Sequence, residues 1–352
     1  MKRSVVLAWT VALATACGGK IADTAPDGGS SSAVFQLPAA CKGASSPPQS
    51  IECTGLYADV ATKRLAPGLR EYTPAVVLWA DGNEKQRWID LPPGTKIDAT
   101  DPNEWIFPVG TKVFKQFSRG GKRVETRMFQ KTQAHFWVYG AYLWNDDDSA
   151  ATLSPGGDIA WGDGGTYHVP TPDECDQCHR GRSDRVLGFE QVALGLTGAS
   201  GITLAQLVAE DRIAPAPSRT QLVVGDDGTG YAPPALAWLH INCGTTCHNA
   251  NANSTGYGAG MRLRLDPTLL DGRSSAMFDS LTTTVGKIVN NPNWYGQTRI
   301  VPGDVSSSLL FQLISHRGKG QQMPPIATNV PDESDDVAVA LWIAAMRTMG
   351  QR

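Results

Sequence analysis

Two short groups of cysteine and histidine residues have the types and spacing of a covalent cofactor site. The first group reads Cys175-Asp176-Gln177-Cys178-His179. In this pattern the two thiols form thioethers with the vinyl groups of a haem, and the histidine binds the iron. Residues three and four apart lie on one face of a helix, so both sulfurs and the imidazole can meet one macrocycle. The motif predicts a c-type haem on Cys175, Cys178 and His179, with a disulfide or half of a zinc site as the alternatives.

The second group runs from Cys243 to Cys247 and His248, with three residues between the cysteines instead of two. On an ideal helix the added residue turns His248 away from the face that the cysteines share. Haem binding at this site therefore requires a local rewinding or a bulge. The alternative is a Cys243–Cys247 disulfide without haem.

A helix is predicted to run into the second group, and a Pro-Gly turn, a Leu-rich helix, a Met-Pro-Pro segment and a closing helix follow it. These segments are Pro234 to Asn242, Ile300-Val301-Pro302-Gly303-Asp304, Ser308-Leu309-Leu310, Met323-Pro324-Pro325 and Leu341-Trp342-Ile343. From about Pro233 to the end, the chain resembles a class I cytochrome c domain. The resemblance implies that Met323 is the distal iron ligand. A thioether opposite an imidazole is a common iron pair, and the flanking prolines make the strap rigid.

A longer set of segments lies before and within the first motif. They are Leu91-Pro92-Pro93-Gly94-Thr95-Lys96-Ile97, Phe107-Pro108-Val109-Gly110-Thr111, Glu125-Thr126-Arg127, Tyr142-Leu143-Trp144-Asn145 and Cys175 to His179. This set resembles a family of exported bacterial proteins of uncharacterised role that are called dihaem-type cytochromes. The resemblance implies a β-domain fused to haem motifs, and it implies no substrate.

The distal ligand of the first haem is not evident from the sequence. His168, close to the motif, and His240, in the helix before the second motif, are the candidates for this ligand. Most histidines in such positions are structural, so a five-coordinate iron with an open position is the alternative.

The beginning of the chain predicts export. Met1-Lys2-Arg3 is positively charged and precedes the apolar run Val5 to Ala14, which is too short to span a bilayer and suits a signal peptide. Cys17 follows in a lipobox-like position, so it is predicted to carry lipid, with ordinary cleavage as the alternative. The protein is thus expected in the periplasm or as an outer-membrane lipoprotein, with a lipid anchor as its sole membrane contact. Cys41 and Cys53 flank a short loop and are predicted to form a disulfide.

The hydrophobic patterning predicts an α+β multidomain chain: an N-terminal antiparallel β-rich domain, read as a small sandwich or barrel, and a mostly α cytochrome c-like domain. The predicted segments are a signal peptide or lipobox (1–17), a flexible tether (18–50), the β-rich domain (51–170), a helical segment with the first motif (171–213), a linker (214–233) and the cytochrome c-like domain (234–352). The predicted strands are Pro74 to Trp79, Lys85 to Leu91, Lys112 to Phe117, Arg123 to Gln130 and His135 to Trp144.

Charge and motifs together limit the function. The 352 residues carry a net charge of −3 and have no Lys/Arg-rich run, which argues against nucleic acid as a partner. The prediction is an electron carrier with one or two haems c that meets a redox partner protein of the cell envelope, and no catalytic residues are assigned. The alternatives are a dihaem peroxidase-like oxidoreductase and a binding lipoprotein whose cysteines only form disulfides.

Overall fold

The structure, a computed structural model, describes residues 35–161, 165–318, 320–334 and 336–347. The predicted signal peptide and Cys17 lie outside these residues. The strands are β1 (Tyr57–Asp59), β2 (Arg64–Leu65), β3 (Arg70–Thr73), β4 (Glu84–Asp90), β5 (Ile97–Asp98), β6 (Lys112–Arg119), β7 (Lys122–Gln133), β8 (Phe136–Trp144), β9 (Ala151–Ser154), β10 (Gly157–Trp161), β11 (Gly165–Val169), β12 (Ser200–Gly201) and β13 (Ile213–Ala214).

Short helices follow the strands along the chain. The α-helices are α1 (Pro172–His179), α2 (Gln191–Gly195), α3 (Leu204–Ala209), α4 (Ala232–Leu239), α5 (Asp279–Thr282), α6 (Leu309–Ser315) and α7 (Asp336–Ala345). A π-helical turn, His240–Gly244, continues α4. Single 3₁₀ turns cover Ala39–Cys41, Ile51–Cys53, Tyr257–Ala259, Pro267–Leu269, Ser275–Met277 and Pro292–Trp294. The mixed α and β content agrees with the predicted class.

One antiparallel sheet dominates the fold, in the strand order β12-β3-β4-β6-β7-β8-β9. Four of the five predicted strands are confirmed as β4, β6, β7 and β8. The two-residue turn between β6 and β7 is Gly120-Gly121, and both glycines have positive φ angles, 57° and 77°, as a tight hairpin requires. The predicted sandwich or barrel is wrong, because the sheet is a single open layer among the described residues.

The fifth predicted strand, Pro74 to Trp79, is also wrong. This segment is irregular and leaves the sheet after β3. It instead contacts the C-terminal part of the chain: the backbone N–H of Trp79 donates to Asn242 at 2.7 Å, and its indole N–H donates to the carbonyl of Val330 at 2.8 Å.

The two faces of the sheet pack against different parts of the chain. On one face, Trp88, Phe114 and Met128 lie side by side across β4, β6 and β7 and pack against the segment that precedes the sheet. On the other face, Ile89 and Phe129 pack against the segment that follows α1. The second face therefore meets the first cysteine motif.

The C-terminal helices surround a second core. Leu236 of α4, Leu310 of α6 and Trp342 and Ile343 of α7 are buried together. The closing helix is confirmed as α7; Val337 and Leu341 face solvent, at 52% and 45% exposure, and Val339, Trp342 and Ile343 form its buried face.

Two segments that composition predicted to be flexible are packed. In the supposed tether, the carbonyl of Pro48 accepts a hydrogen bond from the buried Tyr142 hydroxyl at 2.9 Å. In the supposed linker 214–233, Leu222 and Val224 are buried in the C-terminal core. The described residues from Phe35 onward consequently form one compact unit.

The structure joins Cys41 and Cys53 by a disulfide. Within the described ranges, no helix has the length and apolar character needed to cross a membrane.

Candidate functional site

Both cysteine–histidine motifs contribute to the wall of one cavity of about 870 Å³ between the second sheet face and the C-terminal helices. The predicted site residues in its lining are Cys178, His179, Cys243, Cys247, His248, Met323 and His168. Cys175 lies beside it and packs into the core under the sheet. The volume is within the range of small-molecule and cofactor sites.

Helix α1 presents the first motif. Its N-terminus has a capping box, in which the Thr171 hydroxyl accepts from the backbone N–H of Glu174 and the Glu174 carboxylate accepts from that of Thr171, and Pro172 occupies the first turn. The helix spans both cysteines and ends at His179, so the helical turn predicted for the motif is present.

His179 is held as a neutral imidazole with one defined free nitrogen. Its Nδ1 lies 2.5 Å from the backbone carbonyl of Arg185, so Nδ1 carries the proton and Nε2 is the acceptor. The ring stacks on Phe129, with 4.2 Å between ring centroids. Burial lowers the pKa of His179 to about 3, and the Lys115 charge adds to this shift. A neutral imidazole with a fixed tautomer is the form that binds a metal.

The second motif begins on the π-helical turn that continues α4, which contains Cys243, and Cys247 and His248 follow shortly after it. The backbone N–H of Thr245 donates to the carbonyl of His240 at 2.8 Å, and that of His248 donates to the carbonyl of Cys243 at 2.8 Å. Both bonds join residues five apart, so this turn contains one residue more than an α-helical turn. The local rewinding that haem binding at this motif requires is therefore present, and the backbone of His248 is hydrogen-bonded to that of Cys243.

His248 is buried and tightly surrounded. Its Nδ1 is inaccessible to solvent and has no hydrogen-bond partner among the described residues. Burial lowers its pKa to about 4, and the guanidiniums of Arg299 and Arg262 contribute. Gly256 packs against the ring so closely that a Cβ there would lie 2.9 Å from Nδ1. His248 is thus also a neutral imidazole that could bind a metal, and the close packing around its ring restricts the ring's movement.

The two motifs are in direct contact. Gly181, just after α1, lies so close to the carbonyl of Thr246 that a Cβ at this position would overlap it. The hydroxyl of Thr255, just after the second motif, donates to the carbonyl of Gln177 at 2.8 Å. The sequence gives no sign of this contact, because it joins segments that are distant along the chain.

All four motif cysteines are free thiols in the structure. Burial raises the pKa of Cys178 and of Cys243 to about 12, and Cys247 adds to both shifts. Burial also raises the pKa values of Cys175 and Cys247. The thiols are protonated near neutral pH, and neither alternative disulfide is formed.

Met323 lies in the cavity wall with the second motif. Its backbone N–H donates to the carbonyl of Leu313 in α6 at 2.8 Å, and its side chain packs at the border of the C-terminal core. The side chain is half-buried. A thioether in this wall and the imidazole of His248 are thus presented to the same cavity.

The two histidines suggested as distal ligands have other partners. His168 contacts Asp158 through Nδ1 at 2.6 Å and Glu174 through Nε2 at 2.9 Å. His240 is fully buried, and its Nε2 lies 3.2 Å from Glu190 while its Nδ1 accepts from the backbone of Leu265 at 2.9 Å. Both ring nitrogens of each histidine have a partner in this structure, so neither is free to bind a metal in this arrangement, and their role as distal ligands stays a prediction.

Sequence reasoning missed the charged part of the cavity wall. Lys85, Arg87, Lys115 and Arg127 line the cavity from the second sheet face. The alternation of polar and apolar residues in β7 was visible, but which segment covers the polar side depends on packing between distant parts of the chain.

No group of three or more His, Cys, Asp or Glu side chains suited to a metal ion occurs in the described part of the chain. No match to a protein-family model, a curated protein or a solved structure was found for this chain.

Proposed function

We propose that this protein is an exported c-type cytochrome that carries electrons through covalently attached haem, with one haem on each motif. The observation that carries the proposal is that three free thiols and two neutral imidazoles line one cavity, with the fourth motif thiol, Cys175, packed beside it. These are the donors that two covalent haem sites need. A single haem on the first motif is the smaller form of the same proposal.

The residues of the chain have distinct proposed roles. Cys175 and Cys178 would hold the first haem and Cys243 and Cys247 the second, with His179 and His248 as proximal ligands. The hydrogen bond from His179 to the Arg185 carbonyl leaves Nε2 free to bind, and the unpaired state of the buried His248 fits the same use. Bound haem supplies one-electron redox chemistry.

The C-terminal part would then act as a cytochrome c-like unit with Met323 as the second axial ligand. This proposal is supported by the presence of Met323 and His248 in one cavity wall and by the helices α4, α6 and α7 around one core. A thioether ligand raises the reduction potential of a haem. The second haem is therefore expected to have the higher potential of the two.

The location and partner of the protein are part of the proposal. Export to the periplasm or the outer membrane, with Cys17 as the lipid-bearing residue, would place the haems where a redox partner protein of the envelope can reach them. The membrane contact would be the lipid anchor alone.

The test is the haem content of the full chain made in a host with a cytochrome c maturation system, measured as the alkaline pyridine haemochrome. We expect two haems per chain. Cys175→Ala with Cys178→Ala, and Cys243→Ala with Cys247→Ala, should each remove one haem, because each pair supplies both thioether bonds.

The matched control removes a cysteine pair that has a different role. Cys41→Ala with Cys53→Ala breaks the disulfide and should leave the haem count unchanged in the folded fraction. One haem, lost only with the first pair, would restrict the cofactor to the first motif. A colourless wild-type protein from a host that matures a reference cytochrome would rule out the proposal.

One observation favours a second candidate, an oxidoreductase with an open iron position. The cavity wall contains three histidines, His168, His179 and His248, and both ring nitrogens of His168 are occupied by carboxylates. The first haem would then have no histidine as its distal ligand. Carbon monoxide added to the reduced protein distinguishes the candidates: a spectral change of one haem favours the enzyme, and no change favours two six-coordinate carriers.

A further inference from the structure

Three cations lie in a row on the sheet face that forms the cavity wall. Arg87 of β4 is directly opposite Lys115 of β6, and Lys115 is directly opposite Arg127 of β7. We call these three residues the cationic row. Like charges directly opposite each other on neighbouring strands destabilise a sheet. The arrangement therefore needs a compensating negative charge.

The protein itself compensates one end of the row. Arg127 donates from Nε to the buried carboxylate of Glu125 at 2.9 Å, and Tyr167 also donates to that carboxylate. The guanidinium of Arg127 lies over the Phe117 ring, 4.2 Å from its centroid. One carboxylate thus balances one of the three cations.

The other two cations have no such partner. Arg87 is buried, at 3% exposure, and neither the Arg87 nor the Lys115 side chain has a hydrogen bond or an ion pair to another described side chain. Burial, together with the charges of Arg87 and Arg127, lowers the pKa of Lys115 to about 7. A guanidinium without a partner in a mostly buried position is costly, so this part of the cavity wall favours an anionic ligand.

The row also lies close to the first motif. The charges of Lys115 and Arg127 both act on the thiols of Cys175 and Cys178. All three members of the row line the same cavity as the thiols and His179. A ligand at the row would be a neighbour of the first motif.

We propose that the cationic row binds an oxygen anion, with Arg87 and Lys115 as its donors from the cavity wall. Guanidinium and ammonium groups prefer carboxylates and oxyanions, which accept charge-assisted hydrogen bonds. This anion has two possible sources: a propionate of a haem held in the cavity, or a free small oxyanion that enters it. The first source rests on the proposed function, and the second does not.

The experiment uses the full chain as purified, with its haem content measured first. Lys115→Met and Arg87→Met remove the donors, and Lys122→Met is the control because it removes an exposed cation at the end of the same hairpin. Binding of acetate and of sulfate is measured by calorimetry, and the reduction potential is measured by spectroelectrochemical titration. Lys115→Arg tests rescue and guards against a variant that merely misfolds.

A free anion predicts that acetate or sulfate binds the wild-type protein and binds the two Met variants roughly tenfold or more weakly, because a charge-assisted hydrogen bond is lost. A haem propionate predicts no binding of added anion, and a reduction potential that falls in both Met variants but not in Lys122→Met, because a nearby cation favours the reduced state. Lys115→Arg restores the wild-type value in either case.

The proposal is overturned if the wild-type protein binds neither anion and the potentials of both Met variants match that of the control. Absence of haem would defeat the proposed function and the propionate source together. The row would then be judged by the calorimetry alone, and a protein without haem that binds neither anion would also overturn the proposal.

Discussion

Single hydrogen bonds decide what each histidine of this protein can do. The Nδ1–H of His179 donates a hydrogen bond to the backbone carbonyl of Arg185, and its other ring nitrogen, Nε2, has no partner among the described residues. His168, in the same wall, gives both nitrogens to carboxylates. The two residues are both histidines and lie close together along the chain, yet His179 can bind a ligand, whereas His168 links two carboxylates by hydrogen bonds.

His168 should therefore make stability depend on pH. Burial alone lowers its pKa, but the hydrogen bonds to Asp158 and Glu174 outweigh burial and hold the pKa above the usual value of 6.5. A raised pKa in the folded state stabilises the fold below the unfolded pKa, and this stabilisation disappears as the pH rises through the folded value. The free energy of unfolding should decrease over that window, which lies above pH 6.5.

Urea unfolding between about pH 5 and about pH 9 measures this effect. The decrease should be smaller in His168→Gln, which has no imidazole to titrate. His135→Gln, at an exposed histidine, is the control and should retain the wild-type profile. If the free energy of unfolding depends on pH equally in His168→Gln and in the wild-type protein, the hydrogen bonds of His168 do not contribute to this dependence.

At the scale of elements, the contact between the two motifs depends on a residue without a side chain. Gly181→Ala places a Cβ into the carbonyl of Thr246, so the segment after α1 must move away from the second motif. We expect a loss of about 1–3 kcal/mol in the free energy of unfolding, as for other overpacked sites. Chemical denaturation of the purified protein measures it.

Gly258→Ala is the matched control, because a Cβ there meets no atom within 4 Å. Its free energy of unfolding should stay within about 1 kcal/mol of the wild-type value, as expected for substitutions away from packed contacts. If Gly181→Ala and Gly258→Ala have the same free energy of unfolding, the contact between the two motif segments does not stabilise the fold.

Local patterns predicted the long strands of the main sheet but not what packs against them. Alternation located β4, β6, β7 and β8, and the glycine pair located the turn between β6 and β7. The motif length indicated that haem binding at Cys243 would require a rewound helix or a bulge, and a π-helical turn is present at His240–Gly244. The cationic row could not be predicted, because it depends on the register of three strands and on the segment that covers them.

The loop of Pro74 to Trp79 also shows that local sequence patterns do not predict contacts with distant segments. Its apolar residues satisfy the pattern of a strand, yet the hydrogen bonds of Trp79 go to Asn242 and Val330. Tertiary contacts decided the structure of this segment over its local propensity. A pattern within six residues contains no information about such distant partners.

At the scale of the whole molecule, one buried carboxylate ties the first motif segment to the sheet. Asp184 lies 2.7 Å from the ammonium of Lys131 and accepts from the indole of Trp137 at 2.8 Å and from the backbone of Phe107 at 2.5 Å. Asp184→Asn leaves Lys131 buried without a counter-charge. We expect a loss of about 3–5 kcal/mol in the free energy of unfolding.

The control is an exposed ion pair between strand β3 and the end of helix α3. Glu210 pairs with Arg70 at 2.8 Å, with both side chains more than 40% exposed, so Glu210→Gln should cost at most about 1 kcal/mol. Urea denaturation of both variants measures the difference. Equal, small losses would show that the buried carboxylate does not hold the segment to the sheet.

The shared cavity also bears on the order of events during biogenesis. Its walls come from the sheet, from the segment after it and from the last helices of the chain, and the four thiols are partly covered once these have closed. An enzyme that attaches a large planar group to these thiols must reach them before the cavity walls come together. On the proposed function, cofactor attachment during export must precede folding, and a chain that folded too early would be a permanently colourless by-product.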